Sequence, residues 1–465
     1  MMNIKDASEI GLLDMHDQAG LVRRGELSPG ELIEAAIVRA EALDSGLNAL
    51  SVKAWEQARC AAPTADGEMR GVPWLVKEGL DYAGMPTRSG SRAFSEAIPA
   101  TSGSPYTRCF DDAGMVAIGK SSAPEFGLLP TTEPLLYGPV HNPWSPGHSA
   151  GGSSGGATAA VAAGIVPVAH AADGGGSIRI PAGCCGLVGL KPTRGSAVRA
   201  RDLHAIEDFL VGDTLVARSV RDVAWATRRA ARTVMTPVER NERQLRIGLV
   251  LDSLDGNAPE PEVAAAIGQA AELCADLGHI VVPFQRREDG PRVAACFETI
   301  WGYVARDAVN AVRARGLDMA QLEPWTLGLF DWSARFGPGD LDDFHRAVAA
   351  NALAHESSFE DVDILLSPVL RRATVPLGEL APDRPFDALF AAMFDYIGYT
   401  PLHNLTGNPA LSLPLVTMSD GMPIGSMFSA RRGDDALLLA LALQLEEATG
   451  WSKRWPAVSI RQFTA

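Results

Sequence analysis

Cysteine is scarce in this sequence: six residues in 465, Cys60, Cys109, Cys184, Cys185, Cys274 and Cys296. None forms a CxxC pair or a zinc-finger spacing, which argues against a disulfide scaffold and suits a reducing compartment. The nine histidines contain no HExxH pair, and neither a metal nor a cofactor is expected. Long apolar runs are missing as well. No stretch reaches the ~18 uninterrupted apolar residues of a membrane-spanning helix. The opening MMNIKDASEIGLLDMHD lacks the apolar core of a secretory signal, so a cytoplasmic location is the expectation. Positive charge is in deficit: 41 Lys and Arg stand against 56 Asp and Glu, a net charge of −15. The cations form no clustered run, which argues against nucleic acid and anionic membrane as partners.

What is present reads as a large globular chain, 46% apolar and 21% charged. Residues 1–62 read as helices. Ser28-Pro29-Gly30-Glu31 is a helix start, with Ser28 as the cap and Glu31 closing a capping box. Residues 63–290 alternate strands and helices. An apolar strand, Trp74 to Val76, runs into Lys77. Further elements are a helix near Ser104–Ala113, a strand at Val116–Ile118, an ordered loop over 124–149, a helix over Ser219–Arg229 and a strand over Leu245–Leu251. Cys184 and Cys185 are expected in an apolar strand, as small buried residues. Residues 295–400 concentrate aromatics such as Trp301, Trp325 and Trp332 and read as a helical cover, a setting that suits an apolar substrate cleft. Residues 401–465 return to α/β, with a strand over Ala410–Val416, a hairpin turn at Asp420-Gly421 and a long final helix. The alternation predicts α/β architecture with loops at strand ends.

The chemistry concentrates in two glycine-rich loops, Gly151-Gly152-Ser153-Ser154-Gly155-Gly156 and Asp173-Gly174-Gly175-Gly176-Ser177-Ile178-Arg179. Flexible linkers share this composition. These loops, however, are flanked by core-like sequence, ATAAVAAGIVPV after the first and LVGL after the second. Successive backbone N–H groups in such a loop form an anion nest, and a serine within it stands beside an oxyanion hole.

Two readings of the nucleophile are open at this level. Gly151–Gly155 matches GxSxG, the nucleophile elbow, with Ser153 or, one frame on, Ser154 as nucleophile. That motif requires a strand immediately before the serine, whereas Asn142 to Gly152 reads as loop. The second reading joins Lys77, Ser153 and Ser177. A buried lysine loses its charge and can act as a base. It would deprotonate Ser153, which would relay the proton from Ser177 as Ser177 attacks an acyl carbon. The N–H groups of Gly174, Gly175, Gly176 and Ser177 would hold the oxyanion.

GVPWLVKEGLDYAGMPTRSGS, GGSSGGATAAVAAG, DGGGSIRIPAGCCGLVGLKPTRG and ALSLPLVTMSDGMPIG together resemble the amidase signature family of serine amidohydrolases, over nearly the whole chain. The resemblance implies an α/β fold: a single α/β/α domain over residues 1–465, built on a large, mixed, mostly parallel twisted sheet. It also implies that Lys77 is the base, Ser153 the cis-serine and Ser177 the acylated nucleophile. Ser154, Asp173 and Arg179 are expected to support the two loops. Thr131, Tyr137 and Trp301 are candidates for the substrate pocket, while His141, His148 and His170 have no task in this mechanism.

TTEPLLYGPVHNPW and VPVAHAAD are similar to bacterial members of the 6-aminohexanoate cyclic dimer hydrolase type; aryl-acylamidase and urethanase types are related. Two departures stand out. Gly174 replaces the side chain usual beside the oxyanion hole, and Ala150 stands where proline is common. The expected partner is a small, fairly apolar amide, linear, cyclic or carbamate, with a homodimer left open. A glutaminase-type subunit of a tRNA-dependent amidotransferase is the rival class, and the aromatic-rich segment argues against glutamine as substrate.

Overall fold

The computed structural model describes residues 2–201 and 204–464. Its strands are β1 (Leu50–Lys53), β2 (Pro73–Lys77), β3 (Val116–Ser121), β4 (Val168–Asp173), β5 (Gly189–Lys191), β6 (Gly212–Ala217), β7 (Arg246–Leu249), β8 (Ile280–Pro283), β9 (Ile364–Pro368), β10 (Ala410–Thr417) and β11 (Pro423–Ala430). They form two mixed ladders, in the orders β1-β3-β2-β4-β6 and β5-β10-β11-β9-β7-β8. A bridge between Val188 and Ala217 links the end of β6 to the residue before β5. The α/β class and the mixed sheet are as the sequence predicts, but parallel pairing does not dominate. Four strand pairs among the described residues are parallel and five antiparallel. The physical reason lies in the Asp420-Gly421 turn. A tight hairpin makes β10 and β11 antiparallel, and β5 and β9 pair antiparallel to its two sides.

Local signals explain many of the boundaries. Ser28 and Glu31 form the reciprocal capping box at the start of the helix Pro29–Leu47. Ser219 sits at the cap of the helix Val220–Arg229, but its hydroxyl donates to Asp14 instead of closing that helix. Two strands were hidden in segments that read as helical. β1 lies within residues 1–62, and β9 lies within the aromatic-rich region, between β11 and β7. Cys184 and Cys185 close the buried helix Arg179–Cys185 and are not in a strand. Gly186, at φ +72°, ends that helix, so the apolar strand begins only after it.

The helix Gly155–Ala163 is buried at every position. Its alanines let it pack closely beside β4 and the neighbouring strands, fixing the glycine loop at its N-terminus against the ends of β2 and β4. No helix among the described residues is long and apolar enough to cross a membrane.

Candidate active site

Lys77 is the last residue of β2, a strand with no exposed position. Its ammonium-bearing end is therefore delivered into the protein: the residue is 6% exposed. Nζ lies 2.7 Å from Ser153 Oγ and 3.2 Å from the carbonyl of Ala172. Among the described residues no carboxylate pairs with it directly. Burial first, and the Arg201 charge second, push its pKa down to about 7, against the opposing pull of Asp213 and Asp173.

Ser153 is presented by the loop before the helix Gly155–Ala163, and the Gly152–Ser153 peptide bond is cis. The preceding segment carries no strand, so the architecture of a nucleophile elbow is missing. Ser154 Oγ exchanges hydrogen bonds with the backbone of Ala172, tying this loop to the end of β4. Thr132 Oγ1 donates to the Gly151 carbonyl and accepts from the Gly155 N–H.

Ser177 lies in the turn between β4 and the helix Arg179–Cys185. Asp173 organises this turn. Its carboxylate accepts from the N–H groups of Gly176 (2.7 Å), Ile178 and Arg179, and from the Arg179 guanidinium at 2.8 and 3.0 Å. Asn404 bridges the pair, accepting from Arg179 and donating to Asp173. Burial would raise the Asp173 carboxyl, but the Arg179 charge and these hydrogen bonds outweigh it and hold the pKa at about 2.

The same geometry corrects the expected oxyanion donors. The Gly176 N–H is consumed by Asp173, which leaves Gly174, Gly175 and Ser177. Glycine is required at two of these positions. A Cβ on Gly175 would stand 2.4 Å from the Phe297 ring, and Gly176 has φ +138°. Gly174 differs: a Cβ there would meet Val211 at 3.5 Å and Trp301 at 3.9 Å, ordinary contacts. Its missing side chain leaves the cavity wider at this point.

Lys77, Ser153, Gly174 and Ser177 line one cavity of about 640 Å³. Trp301 lines it too, as the sequence predicts. Thr131 and Tyr137 are not among its lining residues. Thr131 is buried behind Gly152 and donates to the Leu380 carbonyl. The Tyr137 carbonyl is held by Asn48 on the far side of the loop. Thr131 packs against the serine loop at Gly152, and the Tyr137 hydroxyl is buried.

Sequence reasoning missed one network. His170 Nδ1 lies 3.4 Å from the Lys77 N–H, its Nε2 lies 3.0 Å from Asp213, and Arg201 donates to both Asp213 oxygens at 2.8 and 2.9 Å. A neutral ring protonated on Nε2 serves both contacts, and burial lowers the histidine pKa. The available signal was a histidine inside an otherwise apolar strand, a polar group that must find partners.

A family model described as Amidase matches residues 31–439. The chain belongs to the amidase signature family. It is 38% identical to a putative amidase AmiC of Mycobacterium tuberculosis (strain ATCC 25618 / H37Rv), over 96% of each chain. A solved 6-aminohexanoate cyclic dimer hydrolase superposes with TM-score 0.91 at 33% identity, covering 96% of this chain and 99% of the other. A bacterial aryl acylamidase superposes with TM-score 0.86 at 26% identity, covering 98% and 99%. This amidase is accordingly a hydrolase acting on amides.

Proposed function

We propose that this amidase cleaves the C–N bond of a small, fairly apolar amide, such as an aryl amide, cyclic amide or carbamate, through an acyl-enzyme on Ser177. The observation that carries the reading is the 2.7 Å contact between the buried Lys77 and Ser153, in the cavity that Ser177 shares. Neutral Lys77 takes the Ser153 proton as Ser153 takes that of Ser177. Ser177 Oγ bonds to the carbonyl carbon, and the N–H groups of Gly174, Gly175 and Ser177 receive the oxyanion. One such donor is worth about 3–4 kcal/mol. As the C–N bond breaks, Ser153 protonates the leaving nitrogen and recovers a proton from Lys77. Water then repeats the sequence on the acyl-enzyme and releases the acid. The apolar Trp301 and the room beside Gly174 favour an uncharged substrate. The similarity to an aryl acylamidase and to a cyclic dimer hydrolase supports the same substrate range.

The test is kcat/KM for 4-nitroacetanilide against pH, which reports ionisations of the free enzyme. The base is active when neutral, so the rate is expected to rise with pH through about 7 and then level off. A flat profile from about pH 6 to 9, with chemistry rate-limiting, contradicts the role of Lys77. A companion variant fixes the cause. Arg201→Gln removes a cation that disfavours protonated Lys77 and leaves Asp213 without its guanidinium, so the rising limb is expected to move to higher pH. An unmoved limb would remove Arg201 and Asp213 from the account.

A further inference from the structure

We infer that, among linear amides, this amidase is selective for short acyl groups on long or bulky amines, and that Phe297 sets the limit. The inference rests on the acyl-enzyme reading above and adds which arm of the substrate lies where.

Ser177 lines two spaces of very different size. One is the cavity of about 640 Å³ that also contains Lys77 and Ser153. The other is a small apolar recess of about 20 Å³, walled by Leu128, Ile180, Phe297, Met393 and Ile397. The chemistry assigns the arms. The leaving nitrogen must receive a proton from Ser153, so the amine has to lie on the side of Ser153 and Lys77, in the large cavity. The recess is lined by neither Lys77 nor Ser153, and it adjoins Ser177. It is the place for the acyl substituent of a linear amide. A volume of about 20 Å³ is roughly that occupied by one water-sized group, so acetyl fits, propionyl is marginal and longer chains collide.

The large cavity extends the amine side. Along the helix Gly290–Ala314, Trp301, Val304, Ala308 and Ala311 line it at helical spacing together with Asp307, running from the buried Trp301 to the exposed Ala311. A rise of ~1.5 Å per residue makes this stripe roughly 15 Å long. An aryl or alkyl amine has room there that no acyl chain has in the recess.

Phe297 is the wall that decides. It is 1% exposed, its ring abuts Gly175, and it is held between Trp301 (centroids 5.0 Å apart) and Phe394 (6.0 Å). It has no slack to swing aside without disturbing the oxyanion loop. In a hydrophobic pocket one methylene too many costs about tenfold or more.

The experiment is a chain-length series on the whole enzyme. Acetyl, propionyl, butyryl and hexanoyl 4-nitroanilides vary the acyl arm, and N-acetyl anilines carrying 4-methyl to 4-hexyl groups vary the amine arm. For the native enzyme kcat/KM is expected to fall at least about tenfold from acetyl to butyryl, while lengthening the amine leaves it within about threefold. In Phe297→Ala the butyryl-to-acetyl ratio is expected to rise at least about tenfold. Met393→Ala opens the recess from another wall and is read the same way should Phe297→Ala fold poorly. Each protein is also labelled with a fluorophosphonate. A label on Ser177 together with a flat acyl series, or with an amine series that falls as steeply, overturns the recess assignment and leaves the mechanism standing. A label on another serine overturns the mechanism and this inference with it.

Discussion

Lys77→Ala is expected to lower kcat/KM by about 10³- to 10⁶-fold, the range between loss of a single acid–base catalyst and loss of one member of a concerted unit. The argument is one of protonation and position. A lysine at a strand end is normally solvated and charged, and a charged ammonium has no lone pair to accept a proton. Here β2 carries it inward, where it meets the oxygens of Ser153 and Ala172 and, among the described residues, no direct counter-ion. Removing it leaves Ser153 in place but without a base, and Ser153 alone cannot draw the proton from Ser177. Rates are measured alongside the circular dichroism of the variant, so that a folding defect is recognised as such. A loss smaller than about tenfold in a folded variant would mean that Ser153 finds its base elsewhere.

Arg179→Ala is expected to destabilise the protein by about 3–5 kcal/mol, because breaking a buried ion pair strands the partner charge. Both side chains are fully buried, and Asp173 keeps a full charge only while Arg179 answers it. The same carboxylate holds the Gly176, Ile178 and Arg179 N–H groups, so the loss reaches the Ser177 turn directly. Urea denaturation reads the stability and kcat reads the turn; both should fall. A loss below about 1 kcal/mol, the level of a surface pair, would show that Asn404 and the backbone donors suffice without Arg179. Arg179→Lys should not restore the native value, since an ammonium cannot reproduce the fork that meets both Asp173 oxygens.

These expectations show where sequence was informative. The two glycine loops stood out locally because core sequence bounds them, while the roles expected of Lys77, Ser153 and Ser177 came from the family resemblance; the structure brings the three side chains to one cavity. The Ser28–Glu31 box and the Asp420-Gly421 hairpin were legible because their partners are close in the chain. What sequence missed depends on distant contacts. β9 lies in a stretch whose aromatics suggest helix, and only its place between β11 and β7 makes it a strand. His170 meets Asp213 diagonally across an antiparallel pair, a register that composition does not reveal. The Gly176 N–H could be counted as an oxyanion donor until Asp173 was seen to take it. Thr131 and Tyr137 lie in a loop rich in polar candidates, and which of them line the cavity depends on distant contacts such as that of Thr131 with Leu380.

The central claim is that Ser177 is the nucleophile and Lys77, through Ser153, is its activator. The most direct measurement is to treat the native enzyme and Lys77→Ala with a fluorophosphonate and locate the adduct by peptide mass spectrometry. The account predicts a phosphonyl group on Ser177 in the native enzyme and little or none in the variant over the same time. An adduct on Ser153 or Ser154, or equal labelling of Ser177 without the lysine, would contradict it.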